Sequence, residues 1–398
     1  MTLDLSIIVP AFNEAPRLAE GMRRFETAVA EGAVDVGRTE VLFVDDGSTD
    51  GTAAAAEELL APLPHHRVVR HPVNLGKGAA VRTGVSLARG GYTAYMDADM
   101  AIDPRAIPLL LDGLATHDLA IGSRALPDSM VESTYAVRTV MGRLFNQLVT
   151  TGTGLGLHDT QCGFKAFRTP AARLLFHLVR IDRFAFDVEI LARARRLGLG
   201  ITEVPVNWRH VPGSTIHPLD DSITMFIDVY RSRLGLLPAP PVPAVGVRDP
   251  SARTPSPELD ARVRDVIAGT LVGVPVPVVA QGPSVIALLP LVDPEEVALV
   301  YSALRAELEP LQVSRRALGI EALRRLGPLA DRLGESGKPR DGGTPRRRYH
   351  ARCEPGPLGH RPDGASGEPP YRQRHHRCRR RVRSPRCARC HGRRRHRR

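Results

Sequence analysis

The sequence predicts an α/β fold, with a mostly parallel sheet covered by helices on both faces. Three observations carry that prediction. Apolar runs of strand length alternate with helical patterns from Leu3 onward, the order that builds a parallel sheet through crossover helices. The runs are continuous rather than alternating, as in Ile7-Ile8-Val9 and Val41-Leu42-Phe43-Val44, which is the pattern of strands buried on both faces. Each run ends in a polar, turn-forming cluster, and ligands of such sheets bind outside the carboxyl ends of the strands.

The first run, Leu3–Val9, ends in Pro10-Ala11-Phe12-Asn13-Glu14. Ala15-Pro16 then starts a helix with Leu18, Met22 and Phe25 on one face. The second run, Val41–Val44, passes into Asp45-Asp46-Gly47-Ser48, a cluster that by itself also reads as a tight turn and helix cap, and then into a helix over Ala53–Leu60. The third unit is Val68-Val69 with the loop Asn74-Leu75-Gly76-Lys77-Gly78. The fourth run, Tyr92–Met96, ends in Asp97-Ala98-Asp99, and Asp103-Pro104 starts the next helix with an N-cap and a first-position proline. The fifth is Leu119–Ile121, ending in Gly122-Ser123-Arg124.

Asp97 and Asp99 are the most informative pair. In a regular strand their side chains would point to opposite faces; at a strand end, where a turn begins, both can swing toward one point. Two hard oxygen donors there suit Mg²⁺ or Mn²⁺, which also binds phosphate. A Gly-Lys-Gly loop lets backbone N–H groups and one ammonium approach a phosphate. Neither the P-loop pattern nor a Gly-x-Gly-x-x-Gly after the first strand is present, which argues against a P-loop NTPase or a dinucleotide enzyme.

In order and spacing, the first four of these clusters, Val9–Glu14, Val44–Ser48, Asn74–Gly78 and Asp97–Asp99, resemble the hallmarks of family-2 glycosyltransferases with the Rossmann-like GT-A fold. The stretches His158–Phe167, Phe184–Glu189 and Glu203–Trp208 resemble those of dolichyl-phosphate glucosyltransferases, as does Gly213-Ser214-Thr215-Ile216, although Thr215 stands where those enzymes usually have Lys. The resemblance covers roughly residues 3–236. It implies an inverting enzyme that moves glucose from UDP-glucose to a polyprenyl (dolichyl-like) phosphate. GDP-mannose as donor, or a soluble acceptor, are the alternatives.

The resemblance also implies roles. Asp99 is the firmest metal ligand; Asp97 shares the Mg²⁺ or Mn²⁺ or holds sugar hydroxyls. Pro10, Phe12, Glu14, Asp45 and Asp46 line the nucleoside pocket, Ala98 borders the nucleotide sugar, and Arg124 and Lys77 reach the donor phosphates. Asp159 is the candidate base, or orients the acceptor. A phosphate acceptor is mostly deprotonated at neutral pH, so a strong base is less necessary than for a hydroxyl.

The segment Tyr135–Leu155 carries Val137, Val140, Met141, Leu144, Phe145 and Leu148 on one helical face with Arg138 and Arg143 beside it. That pattern suits a helix at a bilayer surface guiding a phosphate headgroup, with a core-facing amphipathic helix as the alternative. No run of about 20 apolar residues spans a bilayer, and Asp4 interrupts any signal-peptide pattern. A single Cys before the C-terminal tail fits a cytoplasmic setting, so peripheral attachment at the inner face of a membrane is expected. Oligomeric state is not legible.

The formal charge of +12 misleads about the catalytic region. Pro339–Arg398 holds 20 Arg, no Lys and four acids, a net +16, which leaves −4 for the rest. The region 334–398 is expected to be a disordered Arg-rich tail, with the composition GC-rich DNA gives in a shifted frame. Nucleic-acid binding by this tail is the non-enzymatic alternative, and nucleic acid is not the expected partner. Residues 1–236 form the expected catalytic domain, 237–257 a Pro-rich linker and 258–333 a small α/β module of unassigned role.

Overall fold

The computed structural model describes residues 3–132, 155–209, 211, 238–254 and 256–326. Arg138 and Arg143, and the tail from residue 327, lie outside the described residues.

The catalytic region alternates as its sequence predicts. Strands β1 (Leu5–Ala11), β2 (Thr39–Asp45), β3 (His66–Arg70), β4 (Tyr92–Tyr95) and β5 (Leu119–Ser123) are separated by helices α1 (Ala15–Ala30), α2 (Thr52–Leu60), α3 (Lys77–Leu87) and α4 (Ile107–Gly113). After a short β6 (Val131–Glu132) come β7 (Lys165–Arg168), α5 (Thr169–Leu178), α6 (Phe186–Arg196), β8 (Ile201–Pro205) and β9 (Trp208–Arg209). Seven strands form one sheet in the order β3-β2-β1-β4-β7-β5-β8. Its neighbours run parallel except at β7, which is antiparallel to both β4 and β5. No apolar run announces β7, because Lys165 and Arg168 sit inside it.

Apolar packing covers both faces. Leu18, Met22 and Phe25 of α1 are buried against one face with Ile7, Val9 and Phe43. On the other, Tyr95 packs with Phe167, Phe176 and Phe186 at centroid distances of 5.7–6.4 Å. Asp103 caps the turn Pro104–Ala106 before α4, its side chain accepting from Arg105 N as the sequence predicts.

The segment 237–257 is not simply a linker. Val242–Arg248 forms β10, a central strand of a second sheet. Helix α7 (Pro257–Thr270), β11 (Val278–Gln281), β12 (Ser284–Leu288), α8 (Pro294–Glu307), β13 (Gln312–Leu318) and α9 (Ile320–Arg324) follow. The order β11-β12-β10-β13, all antiparallel, is the split β-α-β arrangement. Prolines flanking Val242 suggested an unstructured link, but Val242, Ala244, Val245 and Val247 are fully or almost fully buried, and that burial outweighs the composition.

This module leans on the catalytic region. Val242, Ala244, Val279, Ile286 and Leu288 share one core with α5 and α6. The buried Arg173 of α5 donates to Ser86 O at 2.9 Å and Leu291 O at 3.0 Å, and His177 Nε2 lies 3.0 Å from Pro241 O. Helices α7 and α8 cover the other face of the small sheet.

Candidate active site

The polar clusters converge at the carboxyl ends of β1, β2, β4 and β5. The first loop is stapled to the second: Asn13 N donates to Ser48 Oγ, Thr49 N to Asn13 Oδ1, and Glu14 N to Thr52 Oγ1, each at 2.9 Å. Asn13 takes a φ of 54°, a left-handed conformation that Asn tolerates better than most residues.

The Asp97-Ala98-Asp99 turn sits against α1 at Gly21, where a Cβ would lie 2.3 Å from Ala98 O. Asp97 Oδ1 lies 2.5 Å from Lys77 Nζ. Asp99 Oδ1 accepts from Ala101 N at 3.0 Å, and its Oδ2 lies 3.6 Å from Arg17. Burial, with the Asp97 charge adding to it, raises the Asp99 carboxyl above its ordinary value. Burial would lower Lys77, but the carboxylates of Asp97 and Asp187 outweigh it and leave the ammonium raised.

Glu14 is paired with Arg17 at 2.5 Å. Burial, opposed by Arg17 and reinforced by Asp99 and Asp97, pushes Glu14 up to about 7. Among the described residues, its Oε2 and Oδ2 of the fully buried Asp45 accept no hydrogen bond. Asp45 Oδ1 takes Ser48 N at 3.0 Å, and Arg70 Nε lies 3.2 Å from Oδ2. Pro10 is buried in β1, while Phe12 is exposed at the mouth of the loop.

Asp46 holds the glycine-lysine loop from beneath: Oδ1 accepts from Leu75 N at 3.0 Å, Oδ2 from Gly76 N at 2.7 Å, and His71 Nδ1 lies 2.7 Å from Oδ1. On the loop's other side a Cβ at Gly76 would meet Asp182 O at 2.4 Å. Lys77 is therefore presented by a backbone clamped from two sides.

Arg124 and Asp159 engage each other. Arg124 Nε and Nη2 reach the two carboxylate oxygens at 2.7 and 3.0 Å, and its backbone N donates at 3.1 Å. Burial works to raise Asp159, but the Arg124 charge and hydrogen bonds hold it below the usual carboxylate range. The Asp159 loop is itself pinned by Glu203 of β8, which accepts from His158 N and Asp159 N at 2.9–3.0 Å.

The profile of Glycosyl transferase family 2 matches residues 6–176. A dolichyl-phosphate beta-glucosyltransferase of Dictyostelium discoideum is 36% identical over 245 residues, covering 58% of this chain and 75% of that one. The chain belongs to glycosyl transferase family 2. The proteins of that same name from Mus musculus and Saccharomyces cerevisiae are 35% and 32% identical, over 76% and 75% of their lengths. Among solved structures, glucosyl-3-phosphoglycerate synthase of Mycobacterium tuberculosis, crystallised with Mn²⁺, UDP and glucosyl-3-phosphoglycerate, is similar with a TM-score of 0.45 and 21% identity, covering 60% of this chain and 84% of that one.

Several residues of this glycosyltransferase that bear on the site escaped the sequence reading. Arg17 follows Glu14 by one helical turn, a spacing that could have marked it. Gly163 lies against Asp97: a Cβ there would fall 2.3 Å from Asp97 Oδ2. Replacing Gly163 with Ala is expected to push the Asp97 carboxylate off Lys77 and lower kcat about 10–100-fold, with little change in melting temperature because the side chain displaced is partly exposed. Steady-state kinetics beside a thermal melt checks this. Cys162, next to Gly163, is fully buried, and burial pushes its thiol up to about 12, so it packs rather than reacts.

Proposed function

We propose that this glycosyltransferase moves glucose from UDP-glucose to a polyprenyl phosphate of the dolichyl kind, with inversion, at the inner face of a membrane. The observation that carries the reading is the shared name of relatives at 32–36% identity over about three quarters of their lengths. The site's chemistry supports it. Glu14 Oε2, buried with no hydrogen bond among the described residues, is suited to receive an N–H donor of a base, since a buried acceptor left unpaired is costly; Asp45 Oδ2 already faces the Arg70 guanidinium at 3.2 Å.

The donor pyrophosphate would lie near Lys77 and Arg124. Asp97 and Asp99 would hold Mg²⁺ or Mn²⁺. Their fit rests on the donor chemistry: two carboxylates two residues apart in one turn, which supply hard oxygen donors. Among the described residues no group of three or more His, Cys, Asp or Glu could hold a metal ion, but Mg²⁺ commonly takes only one or two carboxylates and leaves the rest to substrate phosphates and water. When bound, the ion supplies charge neutralisation for the departing diphosphate. Lys77 supplies a fixed ammonium for the same charge, already oriented by the clamped loop.

Asp159, held ionised by Arg124, is a weak base and best suited to keep Arg124 oriented. Asp159→Asn is therefore expected to lower kcat about 10-fold through loss of the bidentate pair, without shifting the pH profile; a shifted acidic limb would instead mark Asp159 as the base. No helix of the described residues is long and apolar enough to cross a membrane.

The deciding experiment incubates the purified protein and polyprenyl phosphate with radiolabelled UDP-glucose or GDP-mannose, in Mg²⁺ or EDTA. Label from UDP-glucose should enter an organic-extractable, mild-acid-labile product only with metal. Label from GDP-mannose alone, or a water-soluble product, would overturn the assignment.

A further inference from the structure

The chain has three lysines against 52 arginines, and the two that are described, Lys77 and Lys165, both bear on Asp97. Lys77 touches it. Lys165 does so through other residues and has no part in the chemistry above. It is wholly buried in β7, where an ammonium is costly unless paired and fully hydrogen-bonded. Its Nζ donates to Asp187 Oδ1 at 2.5 Å and to Cys162 O at 2.6 Å. Asp187, in the first turn of α6, also accepts from the buried Tyr95 hydroxyl, and Lys165 Nζ stands 5.8 Å from the centroid of the Tyr95 ring.

The Cys162 carbonyl is the peptide that leads into Gly163, and Gly163 is the surface on which the Asp97 carboxylate rests. Asp97 is 43% exposed, so little burial fixes its rotamer. It is held between Gly163 on one side and Lys77 on the other. An arginine at position 165 has the charge but not the compact three-donor head that reaches a carbonyl and a carboxylate from the middle of a sheet.

We propose that Lys165, anchored by Asp187, is a positioning residue that fixes the Cys162–Gly163 peptide and so sets the Asp97 carboxylate against Lys77 for the donor-metal complex. The proposal deepens the functional reading above and rests on it for what Asp97 holds.

The test compares wild type, Asp187→Asn, the double variant Lys165→Met/Asp187→Asn and, as a control, Asp99→Ala. The double variant removes both buried charges together, which a fold tolerates far better than losing one partner. Each protein is crystallised, and its affinity for UDP is measured by calorimetry with and without Mn²⁺. In the double variant the Cys162–Gly163 peptide should shift, the Asp97–Lys77 pair should open, and Mn²⁺-dependent UDP affinity should fall about 10–100-fold, the usual effect of losing an outer-shell partner. Asp187→Asn, which keeps an oxygen acceptor for Lys165, should fall less. Asp97 found unmoved, or moved with unchanged affinity, overturns the proposal. Wild-type UDP binding indifferent to Mn²⁺, with Asp97 still displaced in the double variant, sinks the metal reading and leaves the positioning role standing.

Discussion

Asp99→Ala should abolish glycosyl transfer, by at least about 1000-fold in kcat, while the protein keeps its melting temperature within a few degrees. The two halves of that expectation come from different observations. For the fold, Asp99 contributes one hydrogen bond from Ala101 N and a long ion pair with Arg17 at 3.6 Å. Losing a partly exposed bond of that kind costs about 1 kcal/mol. For chemistry, removal takes away one of two carboxylates, and Arg17 loses part of what balances it. The Glu14 carboxyl, raised to about 7 partly by Asp99, should then titrate lower. A folded variant with substantial turnover would show that the diphosphate charge is met by Lys77 and Arg124 alone. Asp97→Ala is the useful contrast, because it also takes the carboxylate partner from the partly buried Lys77.

Much of this site was readable from residues because each polar cluster had to sit at a strand end. The Asp97–Asp99 pair, the Gly-Lys-Gly loop and the Asp45–Ser48 turn all lie where alternation of apolar runs and helix starts puts them. The roles within the clusters were less legible. Asp45 and Asp46 are adjacent in sequence and look equivalent, yet one has an oxygen that meets Arg70 as an ion pair and takes no hydrogen bond among the described residues, while the other is saturated by Leu75 N, Gly76 N and His71. That difference depends on where residues 71–76 return in space, and no local pattern encodes it. The antiparallel β7 was hidden for a related reason. Its Lys165 and Arg168 are charged residues in a strand buried throughout, paid for by Asp187 and the Leu114 carbonyl, both distant in sequence, and by the nearby Cys162 carbonyl. Strand β10 escaped because prolines around it mimic a linker, while its burial comes from helices on both sides of the small sheet.

The second large effect should fall on Asp46. Asp46→Ala is expected to lower stability by about 3–5 kcal/mol, as removal of one partner from a buried, hydrogen-bonded ionic site does. In a domain of this size that is a fall of roughly 10 °C in melting temperature. The Leu75 and Gly76 amides and the His71 ring would lose their acceptor together. The loop they hold carries Lys77, so activity should fall as well, by about 10–100-fold in the folded fraction at low temperature. Asp46→Asn retains one carbonyl oxygen but turns an NH₂ toward an amide that also needs an acceptor, and should sit between wild type and alanine in both measurements. Urea melts at several temperatures, paired with kinetics below the transition, separate the two consequences. A destabilised Asp46→Ala protein with unimpaired kcat would mean that Lys77 finds its place without the clamp, held by Asp97 and by the Asp182 carbonyl across Gly76. Impaired kcat that Lys77→Ala does not worsen further would show that the clamp acts on transfer through Lys77 itself.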